Sequence, residues 1–334
     1  MLKTLSIFFS LTFLLALTLV FTACDDDDNG TDPSGEVTSL IAGVVATPPT
    51  LDGNGSDAAW TDASEFIITV GESGDYSNEF GEIDVSLKAV RTSTDVYILA
   101  SWADATESVD KKLWSYVDGA WETGGNEDRM FWMWDAGNNG TEGANCSNMC
   151  HVGDGMMRTS GGGNVDVWHW KSARTAPTGC SDDKWWDDGS GRDGDGRGSD
   201  AKTVGAYSDN KQELSDGTVV PKYSGPVTDG HFIIIPVGSD AETYCIPFDT
   251  LSTTGTYPGY YLNANRDGSR FNDVMAESNY SGGRWTVEFK RAIDTGHDDD
   301  VAFTIGGTTS FSLAVTDNSG GSHSGAGEFD FTLE

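Results

Sequence analysis

The chain has 334 residues, and 53 acidic residues against 20 Lys and Arg give it a formal net charge of −33. This acidity excludes nucleic acid as a natural partner, because binding to phosphates needs clustered Lys and Arg. The same charge favours solubility and steers basic proteins toward the chain.

The first predicted element is a secretory signal peptide over residues 1–23. Lys3 precedes an apolar run from Leu5 to Phe21, and small residues then lead to Cys24. This pattern resembles the lipobox of bacterial lipoproteins, whose cysteine is lipidated, although Phe21 stands where Leu is usual. The alternative is an uncleaved anchor helix, but about 17 apolar residues are marginal for a membrane span. We therefore expect an exported lipoprotein that Cys24 anchors to a membrane, in the periplasm or on the cell surface.

A flexible tether and a single folded domain follow the signal. Residues 24–35 are acidic, contain Gly and Pro, and have almost nothing to bury. The folded domain is predicted over residues 36–334, since no second linker of this kind follows.

Short segments rich in Val, Ile, Phe and Trp alternate in polarity and are separated by turn residues. This pattern predicts an all-β fold, a two-sheet antiparallel β-sandwich with long ligand-binding loops, and no long amphipathic helix. The predicted strands are residues 66–70, 85–90, 96–102, 130–134, 232–237, 285–289, 301–305, 311–315 and 329–333.

The stretch between residues 134 and 232 is predicted to be irregular, and connections this long are usually functional or disordered. It contains Cys146-Ser-Asn-Met-Cys150-His151. A c-type haem needs two thiols for its vinyl groups and a His beside the second thiol as an iron ligand. The usual spacing is CxxCH, and here one residue is inserted. The alternative is a disulfide between Cys146 and Cys150, with His151 uninvolved.

The wider sequence context is more specific than this motif. Its segments are LDG at 51–53, DAAW at 57–60, NEDRMFWMW at 126–134, MM at 156–157, DVWHWK at 166–171, PGYYL at 258–262 and GRWTVEFKRAIDTGHDDDVAF at 283–303. Together they resemble the haem-binding family that includes the gamma subunit of ethylbenzene dehydrogenase and related dimethyl-sulfoxide-reductase-type and c-type cytochrome domains. The resemblance extends from about Leu51 to His323 and covers nearly the whole exported domain.

This resemblance implies a β-sandwich that holds one haem between loops at one end, transfers electrons and catalyses nothing by itself. The gamma-subunit relatives bind b-type haem through a Met and a Lys. Here the segment near the C-terminus carries His323 and no evident Lys. The implied iron ligands are therefore drawn from His151, Met157 and His323, with Met156 as a neighbouring alternative. The implied partner is a redox protein, such as a molybdoenzyme or a basic cytochrome.

Other side chains near the motif complete the haem hypothesis. Trp168 and Trp170 are candidates to wall the porphyrin, or else they build the core. His169 alternates with them, so it is expected to point away from their face and to have a structural role rather than to bind iron. Cys146 and Cys150 favour a c-type haem over a b-type haem, and both types stay open.

A second function also fits part of the sequence. The opening at residues 51–60 is shared with a carbohydrate-binding module, and the tryptophans would then stack on sugar rings. Only the haem hypothesis needs the Cys146 motif, Met157 and His323. An enzyme is not expected, because no nucleophile with a base and no phosphate-binding loop is evident. Cys180 and Cys245 are candidates for an extra disulfide, and the four cysteines after Cys24 allow three pairings.

Overall fold

The computed structural model describes residues 38–71, 81–137, 156–159, 163–200, 205–265, 270 and 273–334. Within these ranges the fold is all-β, as predicted, with one short helix, α1 (Ala241–Tyr244), and two 3-10 turns, Ala58–Trp60 and Ala176–Thr178. None of the helices in the described ranges has the length and apolar character needed to cross a membrane. The predicted signal peptide and tether lie outside the described residues.

Twenty-two strands occur in the described part of the chain. They are β1 Leu40–Val44, β2 Phe66–Val70, β3 Ile83–Arg91, β4 Asp95–Ala103, β5 Leu113–Val117, β6 Ala120–Gly124, β7 Arg129–Asp135, β8 Val165–Lys171, β9 Asp182–Trp186, β10 Arg197–Ser199, β11 Tyr207–Asp209, β12 Gln212–Glu213, β13 Val219–Val220, β14 Tyr223–Gly225, β15 Ile233–Ile235, β16 Ile246–Pro247, β17 Thr256–Tyr257, β18 Tyr260–Asn263, β19 Met275–Tyr280, β20 Arg284–Ala292, β21 Thr308–Thr316 and β22 Ser324–Leu333.

One twelve-stranded sheet forms the body of the domain and folds over itself into a sandwich-like arrangement. Its first half has the order β10-β9-β8-β7-β21-β22, and its second half has the order β3-β4-β20-β19. Strand β2 pairs with the first residues of β3. Strand β1 joins the halves, because its first residues pair with β22 and its last residues pair with β3. Both of these pairings are parallel, whereas the neighbouring pairings within each half are antiparallel.

The core lies between the two halves and is rich in aromatic side chains. Trp132 of β7 packs against Phe289 of β20 with ring centroids 5.8 Å apart. Trp170 of β8 contacts Trp102 of β4 at 5.8 Å and Trp285 of β20 at 5.0 Å. Fully burying one large apolar side chain contributes about 1.5–3 kcal/mol, so this aromatic layer is a main source of stability.

The segment at residues 51–60 is fixed to the second half of the sheet by Glu288. The backbone N–H of Gly53 donates to Glu288 Oε2 at 2.8 Å, and Trp60 Nε1 donates to Oε1 at 2.8 Å. Trp60 is only 2% exposed and packs beside Val90 and Tyr97. Its indole face is therefore part of the core and is not presented to solvent.

Two sequence predictions about strands are wrong. Residues 301–305 form no strand: Val301 and Phe303 are buried, but Val301 N donates to the Asp166 side chain and Phe303 N to Ile293 O. The stretch between residues 134 and 232 is also not simply irregular, since strands β8 to β14 lie in it.

The predicted disulfide between Cys180 and Cys245 is also absent. The Cys180 thiol lies 3.5 Å from the Thr175 carbonyl, near the end of the second 3-10 turn. Cys245 packs elsewhere, in a small cluster with Tyr223 and Ile233.

Candidate functional site

The best candidate site is a cavity of about 460 Å³ on the outer face of the first half of the sheet. Strands β7, β8, β9, β10 and β21 supply most of its lining, and Tyr207 of β11 and residues from the neighbouring loops complete it. Its lining residues are Arg129, Phe131, Met133, Met157, Val167, His169, Lys171, Arg174, Lys184, Trp186, Arg197, Gly198, Ser199, Tyr207, Ala314, Gly320, Gly321 and His323.

Strand alternation explains why these residues share one face. In β7, Arg129, Phe131 and Met133 line the cavity, while the intervening Trp132 points into the core. Successive side chains of a strand point to opposite faces, so the same strands serve the core and the cavity. The cavity thus lies on the outer face of the sheet, not between loops at one end of the sandwich as expected.

Met157 reaches the cavity from the short described segment 156–159. Gly196 N donates to the Met157 carbonyl at 2.8 Å, and Thr159 N donates to the Asp187 carbonyl at 2.9 Å. The Met157 side chain packs on Met133, Val165, Val167 and Trp186. Both the backbone and the side chain of Met157 are therefore held against the cavity floor.

His323 enters the cavity from the connection between β21 and β22 and is 7% exposed. Its Nδ1 donates to the Gly321 carbonyl at 2.9 Å. In a neutral imidazole this hydrogen bond places the proton on Nδ1, so that Nε2 carries the lone pair. Ligating histidines in metal sites are oriented by this kind of bond.

His169 of β8 is a second imidazole in the same cavity. It points away from the faces of Trp168 and Trp170, as alternation predicted, and stacks on Phe131 with ring centroids 4.0 Å apart. Its Nε2 is buried and accepts or donates no hydrogen bond among the described residues. Burial, reinforced by Lys171 and Arg129, lowers the pKa of His169 well below its usual value, so the ring is neutral.

The cavity is basic although the chain is strongly acidic. Five cationic side chains line it, and no described Asp or Glu does. Four of these cations pair with three carboxylates outside the lining: Arg129 and Arg174 with Glu127, Lys171 with Asp182, and Arg197 with Asp195. Five cations against three carboxylates leave a formal excess of two positive charges. The cavity as a whole therefore favours an anionic ligand.

Lys171 belongs to a buried hydrogen-bond network at the cavity wall. Its ammonium donates to Asp182 and, at 2.9 Å, to the hydroxyl of Tyr207, which donates to Asp182 at 2.8 Å. Burial lowers the pKa of Lys171 to about 7, an effect that Asp182 opposes. The positive charge of the cavity therefore decreases as the pH rises above neutrality.

The structure brings together two of the predicted site residues, Met157 and His323. Trp168 and Trp170 are fully buried in the core and do not line the cavity, because they lie on the opposite face of β8. The predicted residues Cys24, Cys146, Cys150 and His151 lie outside the described residues. Sequence reasoning missed the cations, and it gave His169 a structural role.

Comparison with known proteins identifies the family. The family model described as ethylbenzene dehydrogenase matches residues 57–327. No curated protein shows significant sequence similarity to the chain.

Solved structures of distant sequence align with most of the chain. A carbohydrate binding module of family 9 from Caldicellulosiruptor kristjanssonii in complex with glucose is 9% identical, with a TM-score of 0.35, over 88% of this chain and 95% of that one. The cellotriose complex of a family 9 module from the same organism gives 8% identity and a TM-score of 0.34, over 88% and 94%. At this level of similarity, the sugars that those modules bind say nothing about the ligand of this chain.

Proposed function

We propose that this chain, which belongs to the ethylbenzene dehydrogenase family, is a haem-binding protein that transfers electrons. The observation that carries the proposal is the joint presence of Met157 and His323 in one basic cavity. These two residues are far apart in the sequence, and both are among the iron ligands that the family resemblance implies.

The lining of the cavity fits a haem in size, donors and charge. Its volume of about 460 Å³ lies within the range of about 300–1,000 Å³ that cofactor sites occupy. A thioether and a neutral imidazole are both established haem ligands. The apolar floor of Phe131, Met133, Val167 and Trp186 suits a porphyrin, and the surrounding cations suit its carboxylates.

Each group of lining residues has a role in this proposal. Met157 and His323 would hold the iron, with His169 as the other candidate nitrogen ligand. Arg129, Lys171 and Arg174 would bind the carboxylates, and Trp186 would exclude water from one side. Bound haem would supply a one-electron couple between ferric and ferrous iron, and a Met ligand would raise its potential relative to two imidazoles.

The protein would pass electrons to a partner and would not act as an enzyme by itself. A redox partner agrees with the family, and a basic protein suits the net charge of −33. The location would be outside the cytoplasm, with Cys24 as the lipid-bearing residue, as the sequence of residues 1–24 indicates.

The absorption spectrum of the purified full chain, oxidised and reduced, tests the proposal most directly. We expect one haem per chain, with a Soret band that shifts on reduction. A haem stain that persists on a denaturing gel, and is lost in Cys146→Ser plus Cys150→Ser, would establish the c-type form. Haem that is fully extractable would establish the b-type form. A chain that neither contains haem nor binds added haemin would overturn the proposal.

Substitution of Met157 tests the ligand assignment. Met157→Ala should remove the weak charge-transfer band expected at about 695 nm for Met-ligated ferric haem, and should lower the reduction potential. Met156→Ala is the matched control, because Met156 does not line the cavity. Equal spectra for both variants and the unmodified protein would refute ligation by Met157.

The carbohydrate-binding alternative lacks a specific observation in its favour. Trp60, Trp168 and Trp170 are buried, and the exposed large hydrophobic residues of the described chain include no aromatic. Glycan binding by a haem-free protein would nevertheless support that alternative, and calorimetric titration with soluble oligosaccharides would detect it.

A further inference from the structure

The inner face of β8 and β9 carries two buried aspartates, directly behind the cavity. In β8, Asp166 shares the core-facing side with Trp168 and Trp170, whereas His169 faces the cavity. Asp183 of β9 pairs with Trp168 and is also on the inner side. Neither carboxylate faces the cavity that we assign to haem, so the proposed function does not use them.

Asp300 completes a compact group with these two residues. One carboxylate oxygen from each of Asp166, Asp183 and Asp300 lies within 4.8 Å of the other two. Asp200 and Asp299 form a second group of this kind that shares Asp300. Asp166 and Asp183 are 0% exposed, Asp200 is 2% exposed and Asp300 is 5% exposed.

Asp183 is the informative member of the group. Its side chain is completely buried, and neither of its oxygens accepts a hydrogen bond from any described residue. An ionised carboxylate without a partner is too costly to bury unless a proton or a cation compensates it. Asp183 therefore calls for a ligand in a way that an exposed acidic cluster does not.

In Asp166 and Asp300, one carboxylate oxygen contacts Arg291 and the other has no hydrogen-bond partner among the described residues. Arg291 lies 3.1 Å from Asp166 Oδ2 and 3.0 Å from Asp300 Oδ2. The Oδ1 atom of each is buried and accepts no hydrogen bond from the described chain, and the same holds for both oxygens of Asp200. Six carboxylate oxygens of the two groups that share Asp300 thus accept no hydrogen bond from the described chain, and of these Asp200 Oδ2 lies 3.4 Å from the Arg270 guanidinium.

The charges of this region do not balance within the described residues. Arg291 and Arg270 are the two cations that form ion pairs with the cluster. Against them stand five carboxylates, those of Asp166, Asp183, Asp200, Asp299 and Asp300. One divalent cation would reduce the formal excess from three negative charges to one.

We propose that Asp166, Asp183 and Asp300 bind one divalent cation, calcium, with Asp200 as an additional ligand. An all-oxygen set of carboxylates suits hard cations and excludes metals that prefer nitrogen or sulfur. Calcium fits better than magnesium, because calcium accepts six to eight oxygens in flexible geometry, whereas magnesium demands a strict octahedron and retains its waters. The cation joins β8, β9 and the loop before Val301.

The test is calorimetric titration of the EDTA-treated full chain with calcium chloride, in excess magnesium to suppress loose binding. We expect one calcium per chain in the site, and a midpoint of thermal unfolding that rises with the logarithm of the calcium concentration. Asp183→Asn keeps the side-chain shape and should weaken binding at least about tenfold, because ligand charge tunes such sites. Asp330→Asn removes an exposed carboxylate elsewhere and should bind like the unmodified protein.

If Asp183→Asn does not fold, the calcium titration of the unmodified chain still tests the proposal. Absence of both binding heat and thermal stabilisation by calcium in that chain would overturn the proposal and leave protonation as the way the cluster is neutralised. Calcium binding of equal strength in Asp183→Asn, or in Asp300→Asn, would likewise overturn it by locating the ion elsewhere.

Discussion

Two imidazoles reach the cavity from different elements and under different constraints. His323 is oriented by its hydrogen bond to Gly321, which is the arrangement typical of a ligating histidine. His169 is held by stacking on Phe131, and its buried Nε2 accepts or donates no hydrogen bond among the described residues. His169 belongs to strand β8, whereas His323 lies at the connection between β21 and β22, outside the strands, and His323 is our preferred ligand.

We therefore expect His323→Ala to convert low-spin haem to a high-spin form and to change the reduction potential by removing a strong nitrogen donor. His169→Gln should leave the coordination unchanged and affect mainly haem affinity. Absorption and electron paramagnetic resonance spectra of both variants give the measurement. The reverse outcome would assign the ligand to His169, and unchanged spectra in both variants would point to His151.

At the scale of elements, the turn between β9 and β10 positions Met157. Gly196 allows a close approach: a Cβ there would lie 2.1 Å from the Asp187 carbonyl oxygen and 2.8 Å from that of Met157. Its N–H also donates to Met157. This contact between the turn and segment 156–159 leaves no room for a side chain.

Gly196→Ala should consequently displace Met157 and weaken its proposed bond to haem iron. We expect loss of the band at about 695 nm and weaker haem binding, with little change in the far-UV circular dichroism spectrum. Gly205→Ala is the control, because a Cβ there meets nothing within 4 Å. If Gly196→Ala has the spectrum of the unmodified protein, the turn does not position the ligand.

The aspartate cluster between β8, β9 and β10 should make calcium binding depend on pH. Burial raises the pKa of Asp166 to about 6 and that of Asp200 to about 7, from 3.8. Burial also raises the pKa of Asp183. Between about pH 4 and about pH 7, these aspartates hold more protons in the folded chain without calcium than in the unfolded chain. Their contribution to the free energy of unfolding therefore decreases as the pH rises through this range.

Calcium must displace those protons, so its stabilising effect should grow as the pH rises from about 5 to about 7.5. Chemical denaturation at each pH measures the free energy of unfolding with calcium and with EDTA. The difference between the two values is the calcium effect, and the titration of distant groups cancels in it. Asp183→Asn should make this difference smaller at every pH, because calcium binds the variant more weakly. A calcium effect that shrinks as the pH rises would contradict the prediction.

How far the sequence predicts these elements depends on the local signal. Phe66–Val70 was predicted correctly because apolar residues alternate between clear turns. Strands β8 and β9 were missed, since Asp166, Asp183 and Lys171 are buried charges that break the apolar pattern. Residues 301–305 have the alternating sequence pattern of a strand but not its hydrogen bonds. Val301 and Phe303 lie in a loop and still bury their side chains in the core, which produces the same alternation.

The site itself was predicted only in part, for the same physical reason. Met157 and His323 came from family resemblance, because no local pattern shows that two loops meet. The cations Arg129, Lys171 and Lys184 gave a weaker signal, since each alternates with core residues along a separate strand. Only the pairing of β7, β8 and β9 brings them together.

At the scale of the whole molecule, charge is segregated. The surface carries most of a net charge of −33, while the cavity is lined by cations. Such a surface attracts basic partners over long distances, and salt screens that attraction within about 8–10 Å at physiological ionic strength. The acidic surface should therefore determine the rate at which a basic partner associates. The lining of the cavity should determine the reduction potential of the proposed haem.

Electron transfer to a basic cytochrome should accordingly slow at least about tenfold when the ionic strength rises from about 0.01 M to about 0.5 M. Stopped-flow measurement of the second-order rate constant provides the test. An acidic cytochrome as acceptor is the control, and its rate should rise with salt. A rate constant independent of salt for both acceptors would exclude electrostatic steering.

The position of β1 has a consequence for how the domain is made. Leu40, near the start of the described chain, pairs with Phe331, near its end, and the same strand then pairs with β3. The pairing of β1 with β22 cannot form until residues 331–333 have been synthesised, and contacts so distant in sequence slow folding. Until β22 has been made, β1 and β21 lack a pairing partner and expose strand edges that other chains can add to. We expect the newly made domain to depend on a chaperone during this interval.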